Sequence, residues 1–273
     1  MSQQTFTVAV ITDAFPSEGD WPRLLDILRE AKGMGGELAV LPEIPLNPWS
    51  PATRVPVEDD AEEVDGPRQR FQALAAAEVG IALLGGAIIR DPDSGIRYNT
   101  GLLYSADGSC LATYRKVHLP EEEGYWETSH YEPGTEPPCV IQGLPMPVGM
   151  QLCSDVNRTT GFQLLSAQGA EAVFAPRCTP PQTYERWRLV LRANAVTSCA
   201  YVISANRPAP TRDGLIGGPS IAIGPSAEVL VESTDPLAMV TLDREVVRAA
   251  RKEYPGYLEV YPELYARGWK ALS

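Results

Sequence analysis

The sequence predicts an α/β protein in which helices cover a mixed β-sheet. Short β-rich runs alternate with helical patterns along most of the chain, as at residues 6–11 and 21–32. Two pairs of strands are separated by turn sequences, Ala106-Asp107-Gly108 and Pro225-Ser226, which is typical of antiparallel hairpins. Strands joined by helices favour parallel pairing and hairpins require antiparallel pairing, so both kinds are expected in one fold.

In the first half of the chain, each predicted helix has its own start signal. Asp20 is suited to cap a helix over residues 21–32, and Gly35-Gly36 is suited to end it. Pro67 fits the first turn of a second helix. An acidic run at residues 59–65 is predicted to be a solvated loop. Strands are predicted at residues 6–11, 38–41, 81–89, 98–104 and 110–114.

The second half continues the alternation after an apolar, strand-like run that begins at Val148. Helices are predicted near residues 162–168 and 184–196 and after Asp243, with strands at 172–175, 201–205, 220–223 and 229–232. No repeat or low-complexity linker divides the chain. We therefore expect one domain over residues 1–273.

Composition limits the function classes. The chain has 273 residues and 44% apolar residues, enough for a sizeable core, and its net charge of −12 disfavours nucleic acid or an anionic membrane as partner. The N-terminus lacks the pattern of a signal peptide, and no apolar run approaches the roughly 20 residues of a membrane span. Five scattered cysteines without paired spacing predict reduced thiols and a cytoplasmic location, and only two histidines leave few residues for a metal site.

Cys153 follows the strand-like run that begins at Val148 and precedes a helical pattern from Gly161. A side chain at such a strand end is held rigidly, and the following turn aims backbone N–H groups beside it, which is what a nucleophile requires. The alternative for an arbitrary cysteine is a small buried hydrophobic residue.

Two other charged side chains follow predicted strands. Glu43 comes just after the buried strand at 38–41, where partial desolvation suits a general base; the alternative is an exposed turn. Lys116 leaves the hairpin strand at 110–114, either as a solvated charge or as a fixed cation that stabilises an oxyanion. Side chains that leave strand ends can meet at one edge of a sheet.

These segments resemble the nitrilase superfamily of carbon–nitrogen hydrolases, whose hallmark is a Glu–Lys–Cys triad. The similarity covers essentially the whole chain. Three longer motifs carry it: Leu41-Pro42-Glu43, Tyr114-Arg115-Lys116-Val117-His118-Leu119 and Leu152-Cys153-Ser154-Asp155. Shorter motifs add to it, such as Tyr98-Asn99-Thr100, Pro133-Gly134 and Ala205-Asn206-Arg207. The resemblance implies a four-layer αββα sandwich, a homodimer or higher homo-oligomer, a C-terminal tail from about residue 250 to 273 that packs on a partner subunit, and no cofactor or metal.

Within the superfamily, the chain is most similar to the N-carbamoylputrescine amidase and β-ureidopropionase branch. Gly124-Tyr125-Trp126-Glu127 follows the lysine segment at that branch's spacing, which makes Glu127 the second glutamate that holds the lysine. Cysteine followed by Ser154-Asp155 resembles amidases and carbamoylases. The chain departs from the family at Arg158-Thr159-Thr160, Gln163 and Thr197-Ser198, which leaves the exact substrate open.

The candidate site therefore has two parts. Glu43, Lys116 and Cys153 are the predicted catalytic residues, with Glu127 in support. Predicted substrate-binding residues are Tyr125, Trp126, Ser154 and Arg177, the last as a partner for a carboxylate, with a structural ion pair as its alternative.

The predicted function is cysteine-dependent hydrolysis of a small-molecule amide, either an ω-amide or an N-carbamoyl amine or amino acid. Two alternatives remain: a true nitrilase, and a catalytically silent scaffold or binding subunit. The three intact triad residues disfavour a scaffold, which has no need of them.

Overall fold

The computed structural model describes residues 3–208 and 215–272. The strands are β1 (Thr5–Ile11), β2 (Leu38–Val40), β3 (Ala61–Glu62), β4 (Ala82–Arg90), β5 (Arg97–Tyr104), β6 (Cys110–Arg115), β7 (Glu121–Glu122), β8 (Tyr125–Trp126), β9 (Val148–Met150), β10 (Ala172–Phe174), β11 (Tyr201–Ser204), β12 (Ser220–Ile223), β13 (Val229–Ser233) and β14 (Leu237–Asp243). The helices are α1 (Trp21–Gly33), α2 (Pro67–Val79), α3 (Thr160–Ala167), α4 (Tyr184–Ser198), α5 (Arg244–Ala250) and α6 (Pro262–Lys270).

Two mixed sheets form the centre of the molecule. The first has the strand order β14-β1-β2-β4-β5-β6, with β3 also paired to β4. The second has the order β13-β12-β11-β10-β9. In each sheet the strands joined through helices are parallel and the hairpin strands are antiparallel, as the sequence predicts.

The side chains of each sheet alternate between two hydrophobic layers. Val8 and Val40 of the first sheet pack against Phe174 and Ile203 of the second, so one core lies between the sheets. Neighbouring residues such as Ala9 point to the opposite face and pack against α1 and α2. A third cluster joins the second sheet to α3 and α4. The layers are therefore helix, sheet, sheet, helix, and the predicted αββα sandwich is confirmed.

The prediction of a solvated loop at residues 59–65 holds for Asp59 and for residues 63–65, which are exposed, but is wrong for residues 60–62. Ala61–Glu62 pairs with β4, and Asp60 and Glu62 are buried. The Glu62 carboxylate accepts hydrogen bonds from the backbone N–H groups of Arg68 and Gln69 in the first turn of α2. The carboxylate is buried because it satisfies helix N–H groups that otherwise lack partners.

The other differences concern element ends and short elements. Asp20 precedes α1, but its side chain bonds to Ser17 and not to the helix backbone. The sequence analysis did not predict β14, which pairs with β1, or the short pair β7 and β8. Asp243 does cap α5, since its carboxylate accepts from the backbone N–H of Glu245.

Candidate active site

Glu43 lies three residues beyond β2 and is 1% exposed. Its Oε1 accepts hydrogen bonds from Lys116 Nζ at 2.7 Å and from Asn99 Nδ2 at 2.9 Å. Its Oε2 is buried and has no hydrogen-bond partner. One oxygen is thus fixed in place, and the other is free to accept a proton.

Lys116 directly follows β6, and its backbone is held on both sides. Its N–H donates to the Asn99 carbonyl at 2.9 Å, and its carbonyl accepts from Gly134 N–H at 2.8 Å. A Cβ atom at Gly134 would lie 2.4 Å from the Arg115 carbonyl oxygen, so only glycine permits this approach. The strand end that carries Lys116 is therefore rigidly placed.

Glu127 holds the other side of the Lys116 ammonium group. Its Oε1 and Oε2 lie 2.6 and 2.8 Å from Lys116 Nζ, and its side chain is fully buried. Burial raises the pKa of Glu127 to about 7, and the charge of Glu43 adds to this rise, whereas Lys116 opposes it. Burial alone would lower the pKa of Lys116, but Glu127 and Glu43 together raise it well above its ordinary value. The Lys116 ammonium group is therefore held between the carboxyl groups of Glu43 and Glu127.

Cys153 occupies the turn after β9 in a left-handed backbone conformation, with φ at 44°. Its N–H donates to the Pro176 carbonyl at 2.9 Å, which continues the β9–β10 pairing by one bond beyond the strands. A non-glycine residue in this conformation is strained, and such strain is typical of a nucleophile at a strand-to-helix turn. The sulfur lies 3.9 Å from the Cys178 carbonyl oxygen. The residue as a whole is 4% exposed.

The surroundings of the Cys153 thiol favour its protonated form. Burial raises its pKa well above the ordinary value, and Glu43 raises it further, against the opposing charge of Lys116. A nucleophilic attack by Cys153 therefore requires that a neighbouring base remove the proton.

Asp155 joins the cysteine segment to the lysine segment. Its Oδ2 accepts from Leu152 N–H at 3.2 Å and from the Tyr114 hydroxyl at 3.0 Å. Its Oδ1 accepts from His118 N–H at 2.8 Å and lies 2.7 Å from His118 Nδ1. The sequence analysis did not foresee this bridge, because it connects residues 37 to 41 positions apart.

Asn99 also belongs to the site, although the sequence analysis used it only as part of the Tyr98-Asn99-Thr100 motif. Its Nδ2 donates to Glu43 Oε1 at 2.9 Å. Asn99 lies on β5, next to the strand that leads to Lys116. Only the strand register, which pairs Thr100 with Arg115, reveals that the two residues are neighbours.

The four predicted substrate-binding residues stay predictions, and each has contacts within the protein. The Tyr125 hydroxyl donates to the Leu215 carbonyl, and the Ser154 hydroxyl donates to the His118 carbonyl. The Trp126 ring lies 3.8 Å from the guanidinium carbon of Arg54. Arg177 is fully buried.

Two further aromatic residues have contacts within the protein. Trp187 packs against the hydrophobic cluster between α3, α4 and the second sheet. The His130 Nε2 atom lies 2.7 Å from the Thr53 carbonyl oxygen.

Two cavities of about 680 and 660 Å³ lie elsewhere, and neither is lined by Glu43, Lys116 or Cys153. Within residues 3–208 and 215–272, no group of three His, Cys, Asp or Glu side chains is arranged to hold a metal ion. No helix in the same residues is both long and apolar enough to cross a bilayer.

Two sheets are enclosed by helices, and Glu43, Lys116 and Cys153 are each buried just beyond the end of a strand. The chain belongs to the carbon–nitrogen hydrolase family, whose model matches residues 8–252. The predicted membership of the nitrilase superfamily is thereby confirmed, and the branch within it stays a prediction.

The relatives cover most of the chain. It is 29% identical over 259 residues to omega-amidase NIT2 of Homo sapiens. The aligned region spans 89% of this chain and 90% of the relative. It is 32% identical over 241 residues to a hydrolase of Mycobacterium tuberculosis, across 81% and 83% of the two chains.

The fold is shared with solved structures. A carbon–nitrogen hydrolase from Helicobacter pylori G27 superposes with a TM-score of 0.86 at 20% identity, over 96% of this chain and 97% of the other. Nit3 of Saccharomyces cerevisiae, described as a member of branch 10 of the nitrilase superfamily, gives a TM-score of 0.82 at 23% identity, over 93% and 95%.

Proposed function

We propose that this protein hydrolyses a non-peptide C–N bond of a small molecule, an ω-amide or an N-carbamoyl amine or amino acid, through a thioester on Cys153. The observation that carries the proposal is the state of the Glu43 carboxylate. One of its oxygens is held by Lys116 and Asn99, and the other is buried without a partner. A base in this state is oriented and still free to accept a proton.

In the proposed first step, Glu43 takes the thiol proton while the Cys153 sulfur forms a bond to the carbonyl carbon. The carbonyl π electrons move to oxygen and give a tetrahedral oxyanion. When the oxyanion collapses, the C–N bond breaks, and Glu43 returns the proton to the leaving ammonia or amine. The acyl group remains on sulfur as a thioester.

In the second step, Glu43 takes a proton from water while the water oxygen attacks the thioester carbon. Collapse of this second intermediate breaks the C–S bond, releases the acid and returns the proton to sulfur. A carbamoyl group on sulfur follows the same path and gives carbamic acid. Electrons and protons balance in both steps.

Lys116 supplies the proposed stabilisation of the oxyanion, together with the backbone N–H that follows Cys153. A cation in a buried site stabilises developing negative charge more strongly than it would in water. Glu127 contacts the ammonium group and is proposed to position it, without touching the substrate.

Two comparisons favour an amide substrate. The Homo sapiens relative is named as an omega-amidase. A protein from Nesterenkonia sp. that is described as an amidase covers 98% of this chain with a TM-score of 0.78 at 23% identity. A nitrile substrate would also form an adduct on Cys153, so nitriles belong in the test.

The test is acyl-enzyme trapping, read by intact-protein mass. We expect the native enzyme, quenched with acid during turnover of an amide or ureide panel, to carry an acyl adduct, and a Cys153→Ala variant to carry none. A Cys199→Ala variant is the matched control, since Cys199 is a second buried thiol.

Three results would count against parts of this proposal. An adduct that survives Cys153→Ala places the nucleophile elsewhere. Acid formed from nitriles and not from amides by the native enzyme supports a nitrilase. No turnover or adduct with amides, ureides or nitriles supports a silent scaffold.

We also propose that the C-terminal tail packs on a second copy of the chain. Helix α6 has no buried residue, and its Leu264, Tyr265 and Trp269 side chains are 54 to 65% exposed. The preceding Tyr254, Tyr257 and Leu258 are exposed as well. Monomeric proteins rarely expose so many adjacent apolar side chains, so this surface favours a partner.

Light scattering coupled to size exclusion tests the assembly. We expect a dimer or larger particle for the native chain and a monomer, or a weaker dimer, for Trp269→Asp. Glu30→Lys, a charge change on the exposed face of α1 and outside the tail, is the control. A native chain that is monomeric at micromolar concentration contradicts this assembly.

A further inference from the structure

Two buried arginines follow neighbouring parallel strands near Cys153. Arg177 lies three residues beyond β10 and is 0% exposed, and Arg207 lies three residues beyond β11 and is 5% exposed. They are joined through their backbones, since Arg207 N–H donates to the Arg177 carbonyl at 3.2 Å. Within residues 3–208 and 215–272, the ion pairs involve other arginines, and neither of these two has a carboxylate within 4.0 Å.

Arg177 has a complete set of protein partners. Its Nε donates to Ser204 Oγ at 2.9 Å, its Nη1 to Thr179 Oγ1 at 2.6 Å, and its Nη2 to the Pro219 carbonyl. Every nitrogen of its guanidinium group is therefore bound within the fold. This arrangement braces the loops after the strands of the second sheet.

Arg207 differs because part of its guanidinium group is unused. Its Nη2 donates to the Asn47 carbonyl at 2.8 Å, but its Nη1 is buried and has no hydrogen-bond partner. A buried donor on a charged group is costly to leave unpaired, and buried charges in proteins are normally paired. A bound ligand with a negatively charged hydrogen-bond acceptor would satisfy this donor.

The location of Arg207 connects it to the catalytic cluster. Asn47, which receives its Nη2, lies four residues after Glu43, in the turn closed by the Asn47 N–H to Ile44 carbonyl bond. Arg207 also lies near Cys178, whose carbonyl contacts the Cys153 sulfur at 3.9 Å. Burial raises the pKa of the Cys178 thiol, and Arg207 is the strongest opposing charge, while Glu43, Glu127 and Lys116 act on the same thiol.

We propose that Arg207 recognises a carboxylate on the substrate, with the unpartnered Nη1 as the donor. The inference rests on the proposed function and assigns the specificity of that site to Arg207, not to Arg177. A guanidinium group whose Nη2 is fixed by a backbone carbonyl is already oriented before the carboxylate arrives. The substrate would then be an amide or a ureide that carries a carboxylate apart from the scissile bond.

The first test uses the native enzyme and needs no variant. Succinamate is compared with its methyl ester, and N-carbamoyl-β-alanine with its methyl ester, so each pair differs in the carboxylate charge and in one methyl group. We expect kcat/KM to be about 10- to 100-fold higher for the acid of the pair that is accepted, the usual size of a charge-assisted hydrogen bond. The accepted pair distinguishes an amide from a ureide, and equal values for acid and ester would overturn the proposal.

The second test separates Arg207 from Arg177. We expect Arg207→Gln to lower kcat/KM for the acid by about 10- to 100-fold, chiefly through KM, and to leave the ester nearly unchanged. Arg177→Gln is the matched control and should affect acid and ester equally. If Arg207→Gln lowers both substrates equally, its role is structural and the proposal is wrong.

A binding measurement covers two further cases, poor folding of Arg207→Gln and absence of turnover. The dicarboxylate succinate should raise the melting temperature of the native enzyme, and Arg207→Lys, which keeps the charge but loses the planar fork, should show a smaller rise. Stabilisation by succinate without turnover of any amide or ureide would support the carboxylate site while contradicting the proposed function. Equal stabilisation of native enzyme and Arg207→Lys, or none of either, contradicts the carboxylate site.

Discussion

Lys116 and Arg207 are both buried cations near Cys153, but their charges are compensated differently. Lys116 has carboxylate oxygens of Glu43 and Glu127 at 2.7 and 2.6 Å. Arg207 has no carboxylate within 4.0 Å in the described part of the chain, and its Nη1 has no acceptor. One charge is balanced by the protein itself, and the other is left unbalanced.

This difference indicates a division of labour within the proposed site. A cation held by two glutamates is fixed in position before any substrate binds, which suits a group that acts on the reacting carbonyl. A cation without an acid can gain its counter-charge from a ligand, which suits recognition. Removal of the charge should therefore cost both activity and stability at Lys116, but chiefly substrate binding at Arg207.

The largest expected effect is that of Lys116→Met. We expect kcat/KM to fall by at least about 1000-fold, because the proposed oxyanion loses its cation and Glu43 loses its orienting partner. We also expect the free energy of unfolding to fall by about 3–5 kcal/mol, since Glu43 and Glu127 are left as uncompensated buried acids. Steady-state kinetics and urea denaturation measure the two losses.

A double variant separates charge compensation from loss of packing. Lys116→Met/Glu127→Gln removes one of the two stranded carboxylates, so it should be more stable than Lys116→Met and equally inactive. If the double variant is the less stable of the two, the charge balance at Lys116 does not govern stability.

The next effect concerns Glu127 and pH. The pKa of Glu127 is about 7 in the folded protein, so acidification below pH 7 protonates it and removes an acceptor from Lys116. We expect kcat/KM of the native enzyme to fall on the acid side with an apparent pKa near 7. Glu127→Gln should be about 10- to 100-fold less active at pH 8 and should lack this acid limb. An unchanged limb in the variant would assign it to another group.

The raised pKa of Glu127 affects stability in the opposite direction: activity should fall on acidification, whereas the contribution of Glu127 to stability should fall as the pH rises. Glu127 loses its proton near pH 4.5 when unfolded and near pH 7 when folded, so its contribution to stability is complete below 4.5 and is lost as the pH rises through 7. The stability of the native protein relative to Glu127→Gln should therefore fall between pH 4.5 and 7. Urea midpoints measured across that interval give the sign.

The fold was predictable because its signals are local. Hydrophobic alternation and turn residues predicted β4, β5 and β6 within one or two residues of their observed ends. Proline at the first turn correctly predicted the start of α2 at Pro67. Strand β14 was not predicted, because its pairing partner β1 lies at the other end of the chain and local signals do not show this contact.

The site was predictable only in part, because its supporting contacts are not local. Glu43, Lys116 and Glu127 lie in recognisable sequence motifs, and the Lys116 ammonium group donates hydrogen bonds to both glutamates. The Asn99 side chain and the Asp155 bridge depend on strand register and on contacts between distant segments. Residues 60–62 of the acidic run were misjudged for a related reason, since charge predicts exposure unless a helix end supplies partners, as α2 does for Glu62.

The two arginines give the smallest of these predicted effects, and they bear directly on the difference between balanced and unbalanced groups. Arg177→Gln should lower the free energy of unfolding by about 2–4 kcal/mol, because Ser204, Thr179 and the Pro219 carbonyl all lose a charged donor in a buried region. Arg207→Gln should cost less than about 1 kcal/mol, because the lost bond to the Asn47 carbonyl is offset by removal of an unpaired buried charge. Urea denaturation of the two variants at one pH compares them directly. If Arg207→Gln is the more destabilising, Arg207 is a structural group whose charge the fold already satisfies, and its contrast with Lys116 disappears.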